Sequence, residues 1–403
     1  MISHVPDDLI IKVLSFLNVK SLMRFKSVSK SWNTLISDPA FIKLHLQHSP
    51  RNKHVALTIH TYNGDFRFIT FPLNHLIENP SITIPGNLYN PLEEINDCSR
   101  IIGSCNGLLC LLCYSSVVEH PNAVEHKIWF RIWNPATNTV AKPLGYITCK
   151  LAGLRCTFGY DNSTETYKVV VLFPTHQVKI LNLRDNSWKT ISRFPPFHRV
   201  PLSYRLVNEG VYLSGTVNWF AIRSNLSFGY YLVERNNITV DQFVIISLDL
   251  STETYMHLSP PHGVDEVPRV EPTIAVLMDC LCFCHDQGPR FVIWKMAEFG
   301  VEQSWTQFLK ISYQSLHIRD WFSDLRYYHF FPFCLSRNGN TLILAAGHLN
   351  RAFFYNLRDN RVQLTSDLKI IWSLAKNYVE SIVTWFAIRF GTWYEFGYAV
   401  RNL

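Results

Sequence analysis

Charge is scarce in this chain. Of its 403 residues only 17% are Asp, Glu, Lys or Arg, and nowhere do Lys and Arg gather into a run. The formal net charge of +7 over that length is mild. A nucleic-acid footprint needs basic side chains clustered on one face, so that partner class is not expected. Catalytic signatures are lacking as well: there is no Gly-x-Ser-x-Gly elbow, no phosphate-binding P-loop and no His-Glu-x-x-His. The 16 histidines are scattered, and none pairs by spacing with a nucleophile. No leader segment is expected, because helical periodicity begins at residue 5. Ten cysteines without a secretory signal are therefore expected as reduced thiols, which points to the cytoplasm or nucleus. The sequons at Asn162, Asn225 and Asn237 then carry no meaning. The apolar stretch 101–118 is broken by Gly103, Ser104, Asn106 and Gly107, so it reads as a buried β-hairpin rather than a membrane span.

What is abundant is apolar and aromatic: 47% hydrophobic residues and 14% Phe, Trp and Tyr, a composition that favours sheet. The first 48 residues differ from the rest. Pro6 suits a first helical position, and Asp7 and Asp8 follow where negative charge meets the positive end of the helix dipole. Leu9, Ile10, Val13, Leu14 and Leu17 recur at spacings of three and four. Asn18 reads as a stop. Further short helices are expected over 20–26 and 29–36, and a fourth begins with Asp38 as N-cap and Pro39 at N1, turning Phe41, Leu44 and Leu46 inward. Such a unit is too small to bury a stable core alone, so it is expected to expose apolar surface to a partner.

Three elements of this stretch resemble the F-box: Val5-Pro6-Asp7-Asp8-Leu9, Val28-Ser29-Lys30-Ser31-Trp32, and Asp38-Pro39-Ala40-Phe41. They fall in F-box order, with Val5 and Ser29 at positions where leucine and cysteine are commoner. The resemblance implies docking onto a Skp-type adaptor, and through it a cullin scaffold, with Pro6, Leu9, Ile10, Leu17, Val28 and Trp32 at the contact.

Beyond residue 52 strands dominate, and a unit repeats. Residues 132–140, 180–188 and 354–362 align, and Asn-Leu-Arg-Asp-Asn occurs identically at 182–186 and 356–360. A looser copy lies at 247–255, and a fifth at 293–295 reaches its aromatic, Trp305, after a longer loop. Each copy reads as a strand end, an Asn- or Asp-led turn, and a new strand. The spacing is near that of propeller blades. More apolar runs precede the copies, at 101–112, 169–173, 211–222, 276–284 and 335–346. They suit inner strands buried on both faces. A sixth blade is assembled from the chain ends: a hairpin over 54–61 and 66–71 around Asn63-Gly64, and a strand over 380–388. The count is read as six, with five, seven and a β-sandwich left open. This part resembles the plant F-box-associated, kelch-like domain of the S-locus F-box type, most clearly in Asn134-Pro135 and Gly103-Ser104-Cys105-Asn106-Gly107-Leu108. The kelch double-glycine signature is missing.

The expected fold is thus a small all-α F-box (1–48), an all-β propeller that recognises substrate (52–390) and a tail (391–403) that fits no blade. The expected function is the substrate-recognition subunit of an SCF-type ubiquitin ligase, non-catalytic and without cofactor or metal. The alternative is a lectin-like or small-ligand-sensing propeller coupled to the F-box. Cys280, Cys282 and Cys284 share a strand face beside His285, and Cys110 and Cys113 lie in another strand, but no second ligand pair completes a zinc site. Trp133, Trp188, Trp219, Trp294 and Trp305 are candidates for stacking on a sugar, against packing between blades. The irregular stretches 115–127, 224–239 and 259–272 are the expected recognition loops.

Overall fold

The computed structural model describes residues 6–48, 53–60, 66–79, 92, 97–120, 123–191, 194–195, 198–199, 209–223, 238–318, 329–347, 351–365 and 370–384. Four short helices come first: α1 (Asp7–Ser15), α2 (Val19–Lys26), α3 (Lys30–Ser37) and α4 (Pro39–His48). Each begins where a cap allows it. Pro6 is the N-cap of α1 rather than its first helical residue. Asn18 does not merely stop α1. Its side chain accepts from the Ser21 amide at 2.8 Å and so starts α2. Ser29 caps α3 through the Trp32 amide (3.2 Å), and Asp38 caps α4 through the Ala40 amide (2.7 Å). On α4 the buried side chains are Phe41, Ile42 and His45. Leu46 is half-buried but packs on the apolar cluster as expected, whereas Leu44 is half-buried outside it, which corrects the expected pattern at that residue.

The rest is a propeller of six sheets. β1 (Lys53–His60) and β2 (Phe66–Pro72) form a hairpin followed by α5 (Leu73–Glu78). The first complete blade has β3 (Cys98–Cys105), β4 (Leu108–His120), β5 (Ala123–Asn134) and β6 (Thr139–Val140), with β7 (Leu144–Cys149) also pairing β5. The second has β8 (Arg155–Asp161), β9 (Thr166–Leu172), β10 (Val178–Asn182) and β11 (Ser187–Thr190). In the third, β12 (His198–Arg199) and β13 (Val211–Leu213) both pair β14 (Thr216–Arg223), which is followed by β15 (Phe243–Asp249) and β16 (Tyr255–Leu258). The fourth has β17 (Thr273–Leu277), β18 (Cys280–Gln287), β19 (Arg290–Met296) and β20 (Trp305–Ser312). The fifth has β21 (Phe330–Leu335), β22 (Thr341–Ala346), β23 (Arg351–Asn356) and β24 (Val362–Leu364).

The ring closes by pairing its ends: β25 (Lys376–Val379) joins β1 antiparallel, giving the order β2-β1-β25. Closure removes the exposed strand edges that would otherwise invite aggregation. The closing strand is not the expected 380–388. Residues 380–384 are irregular, 385–388 lie outside the described residues, and so do Asn63-Gly64 and the tail.

The repeated motif has a single physical cause. In four blades the third strand ends on a residue whose side-chain oxygen accepts the amide two positions on: Asn134 from Ala136 (2.9 Å), Asn182 from Arg184 (2.9 Å), Asp249 from Ser251 (2.8 Å) and Asn356 from Arg358 (2.9 Å). Four positions after that residue the chain turns left-handed, at Asn138, Asn186, Glu253 and Asn360 (φ 52° to 59°). Asn tolerates that conformation better than most residues, which is why it recurs.

Candidate functional site

Helix α1 carries apolar side chains on two sides. Leu14 is buried, with Ile10, Ile11 and Leu17 packed beside it. Leu9 (54% exposed), Val13 (63%) and Phe16 (51%) form a second stripe at spacings of four and three, and Val28 (67%) stands between α2 and α3. Large apolar side chains exposed together on so small a unit mark a docking surface.

Of the residues expected at such a contact, Pro6, Leu9 and Val28 are exposed, while Ile10, Leu17 and Trp32 are half-buried. Trp32 packs its ring against Phe25 (centroids 5.1 Å apart), so it supports the helical unit as well as edging its surface. Val13 and Phe16 were missed. Their signal was present in the all-round apolar pattern of α1, but sequence alone does not say which stripe faces out.

The helices are seated firmly. Leu14, Val19, Leu22, Ile36, Phe41 and Ile42 belong to one apolar cluster with Cys105, Leu108, Leu183, Ile382 and Val383 of the propeller. His45 Nε2 donates to the Leu17 carbonyl (2.8 Å), and burial lowers its pKa, keeping the ring neutral. Lys43 pairs with Glu165 at 2.6 Å, although both are solvent-exposed and such pairs add little. Glu165 lies in the β8–β9 turn, Ala136 in the β5–β6 turn and Leu183 after β10. The helices therefore sit on the rim that carries first-to-second and third-to-fourth strand turns.

Strands alternate in direction, so second-to-third turns and blade-to-blade connections emerge on the opposite rim. Residues 115–120, 123–127 and 259–272 lie there, while residues 121–122 and 224–237 fall outside the described residues. The 259–272 stretch is irregular but anchored. Asp286 accepts the amides of Arg269 (3.0 Å) and Val270 (2.9 Å), and Gly263 abuts the Trp294 ring, leaving no room for a Cβ.

Of the cysteine positions, Cys110, Cys113, Cys282 and Cys284 are buried thiols, and Cys280 is partly exposed. Cys282 and Cys284 lie in an apolar cluster, and burial raises both pKa values, that of Cys282 to about 12. A thiol held protonated is a poor metal ligand. His285 turns to the other face of β18, where Trp294 Nε1 donates to its Nε2 (3.3 Å). Cys113 faces Cys98 across β3–β4 with sulfurs 2.7 Å apart, and Asp97 is near both. Arg131 (2.9 Å) and Trp129 (3.1 Å) both donate to Asp97 Oδ2, while Cys98 Sγ lies 3.5 Å from Oδ1. Trp133 and Trp219 are fully buried between blades, Trp188 packs against the cluster that holds Phe130, and Trp294 and Trp305 pack against the one that holds Phe220 and Phe283. Among the described residues no helix is long and apolar enough to cross a membrane.

Comparison with known families agrees with this geometry. The F-box domain model matches residues 2–44, and the F-box associated beta propeller domain model matches residues 59–385. Similar proteins of Arabidopsis thaliana include the F-box/kelch-repeat protein At3g23880, 28% identical over 340 residues that cover 80% of this chain and 83% of that protein. The putative F-box protein At3g21120 is 26% identical over 334 residues, covering 76% and 81%. F-box protein CPR1 is 24% identical over 338 residues, covering 75% and 72%. Four capped helices with an outward apolar stripe, fixed to one rim of a six-bladed ring and matched along most of their length by these models, place the chain in the family of F-box proteins that carry an F-box associated β-propeller domain.

Proposed function

We propose that this chain is the substrate-recognition subunit of an SCF-type ubiquitin ligase, acting in the cytoplasm or nucleus. In this reading Leu9, Val13, Phe16 and Val28 enter the groove of a Skp-type adaptor, which links the chain to a cullin. The opposite rim of the propeller captures a target protein. The observation that carries the reading is the exposed stripe on α1, whose anchors each contribute on the order of 2 kcal/mol once buried against a partner. The receptor itself makes and breaks no bond. It accelerates ubiquitin transfer by holding the target near the charged conjugating enzyme. The continuous apolar joint between helices and propeller suits that task, because a fixed geometry keeps the effective concentration high.

The test uses the full-length chain co-expressed with a Skp-type adaptor. Leu9→Asp and Val13→Asp are expected to abolish co-purification while leaving the melting temperature unchanged. Adaptor binding at wild-type strength by both variants would refute the reading. Point variants are preferable to removing residues 1–48, since that deletion uncovers Cys105, Leu108 and Ile382.

A further inference from the structure

The six inner strands surround a cavity of about 170 Å³ on the propeller axis. An engineered cavity of about 150 Å³ accommodates benzene, so a small organic molecule fits here. Ile102, Phe158, Ile274 and Phe333 supply apolar wall, and Glu209 and Lys376 bring charge to it.

Glu209 is held in place. Its carbonyl accepts from Thr157 Oγ1 (3.1 Å) and Trp219 Nε1 (3.2 Å). Gly210, at φ +103°, makes that approach feasible, because a Cβ there would sit 2.5 Å from the indole nitrogen. The Glu209 side chain is ion-paired with Arg100 at 3.1 Å, and the residue is only 6% exposed. Arg100 is therefore committed.

Lys376 is not. It is enclosed by protein yet keeps part of its surface on the cavity, and among the described residues it has neither an ion pair nor a hydrogen bond. Burial lowers its pKa, Glu209 opposes that effect, and Arg100 reinforces it. An enclosed ammonium whose nearest carboxylate is already paired to another cation costs stability. Glu209 and Lys376 line the cavity and Arg100 pairs with Glu209, so among the described residues these three leave a balance of +1.

The neutral polar groups set the remaining chemistry. Ser104 Oγ donates its proton to the Asn377 carbonyl (2.6 Å), and Thr157 donates to Glu209. With those protons spent, both hydroxyl oxygens and the Glu209 carboxylate meet a ligand as acceptors. One unspent positive charge beside several acceptors calls for one negative charge and several donors.

We propose that the propeller axis is a binding site for a small hydroxylated monocarboxylic acid, its carboxylate on Lys376 and its hydroxyls on Ser104, Thr157 and Glu209. The site lies among inner strands, away from the helical docking surface, so it stands or falls separately from adaptor binding.

Titration calorimetry and thermal melting of the full-length chain test this, with glycerate as probe. Propionate, without hydroxyls, and glycerol, without charge, are the controls at matched ionic strength. Glycerate is expected to bind saturably at one site and raise the melting temperature, and both controls to bind at least about tenfold more weakly, as the loss of a charged hydrogen bond implies. Lys376→Met is expected to weaken glycerate about tenfold or more, and Lys376→Arg to retain it. Without ligand, Lys376→Met is expected to melt above wild type, because it removes an unpaired enclosed charge. A purely structural lysine would give the opposite sign. Absence of saturable glycerate binding, equal binding by wild type and Lys376→Met, or a lower melting temperature for Lys376→Met overturns the proposal.

Discussion

Asn134 and Ser381 lock the ring shut: the Asn134 side-chain amide donates to the Ser381 carbonyl at 2.9 Å and also to the Val383 carbonyl at 2.8 Å. Gly107 closes on the same segment, since a Cβ there would collide with Ser381 Oγ. The two sequence fragments most typical of the family thus meet at one place. They pin the returning chain beneath the helices, where Ile382 enters the shared apolar cluster.

This clasp predicts two stability losses. Asn134→Ala leaves two buried carbonyls unpaired and is expected to cost about 2–3 kcal/mol. Gly107→Ala combines a left-handed φ of +81° with a clash against Ser381 and Val379, and about 2 kcal/mol or more is expected. Urea unfolding of the full chain measures both. A loss below about 0.5 kcal/mol for either would show that the clasp is not structural.

Docking and stability separate on the helical unit. Leu9→Asp and Val13→Asp change solvent-exposed positions and are expected to cost less than about 0.5 kcal/mol. Trp32→Ala removes a half-buried ring from Phe25 and is expected to cost about 2 kcal/mol as well as weakening adaptor capture. Melting curves recorded beside adaptor pull-downs distinguish the two behaviours.

His285 predicts acid sensitivity. Burial pushes its pKa down to about 4, and its Nε2 accepts from Trp294, so the fold needs the neutral ring. The unfolded chain takes up the proton near pH 6.5. Stability from this group is complete above about pH 6.5 and is lost as pH falls toward 4, on the order of 3 kcal/mol in total. His285→Gln is expected to flatten that window in urea unfolding at stepped pH. An unchanged slope refutes the assignment.

Asp161 acts at lower pH. Burial alone would raise its pKa, but bonds from Lys168, Thr164, Ser251 and Ser163 outweigh burial and hold it well below the usual carboxylate range. Lys168 lies 2.8 Å from Asp161 and donates to the Leu250 carbonyl at 2.6 Å, tying the second blade to the third. The unfolded carboxyl titrates near pH 3.9, so its stabilisation is complete above about pH 4 and lost below it. Asp161→Asn is expected to cost about 2–3 kcal/mol at neutral pH, because it leaves Lys168 only the more distant Glu253 carboxylate (3.9 Å), and to lessen acid unfolding below pH 4. Thermal melts across that range check both signs.

Much of the architecture was legible beforehand. The helix caps Asn18, Ser29 and Asp38, and the Asn-led turns, are local: a side chain bonds a backbone two or three residues away, so the motif carries its own structure. The closing strand was not legible. Residues 380–384, Glu-Ser-Ile-Val-Thr, read as a strand by β-branched content, but two of their carbonyls are claimed by Asn134, some 250 residues earlier, and pairing with β1 falls to Lys376–Val379 instead.

The order of residues alone determined the helical unit, the blade repeat and the family, because periodicity and short-range capping act within a few residues. Tertiary structure alone decided which stripe of α1 faces solvent, which rim bears the helices, and that Arg100, Glu209 and Lys376 converge on one axis. Those outcomes depend on closing a ring from distant segments, and the contacts that closure creates have no local trace in the chain.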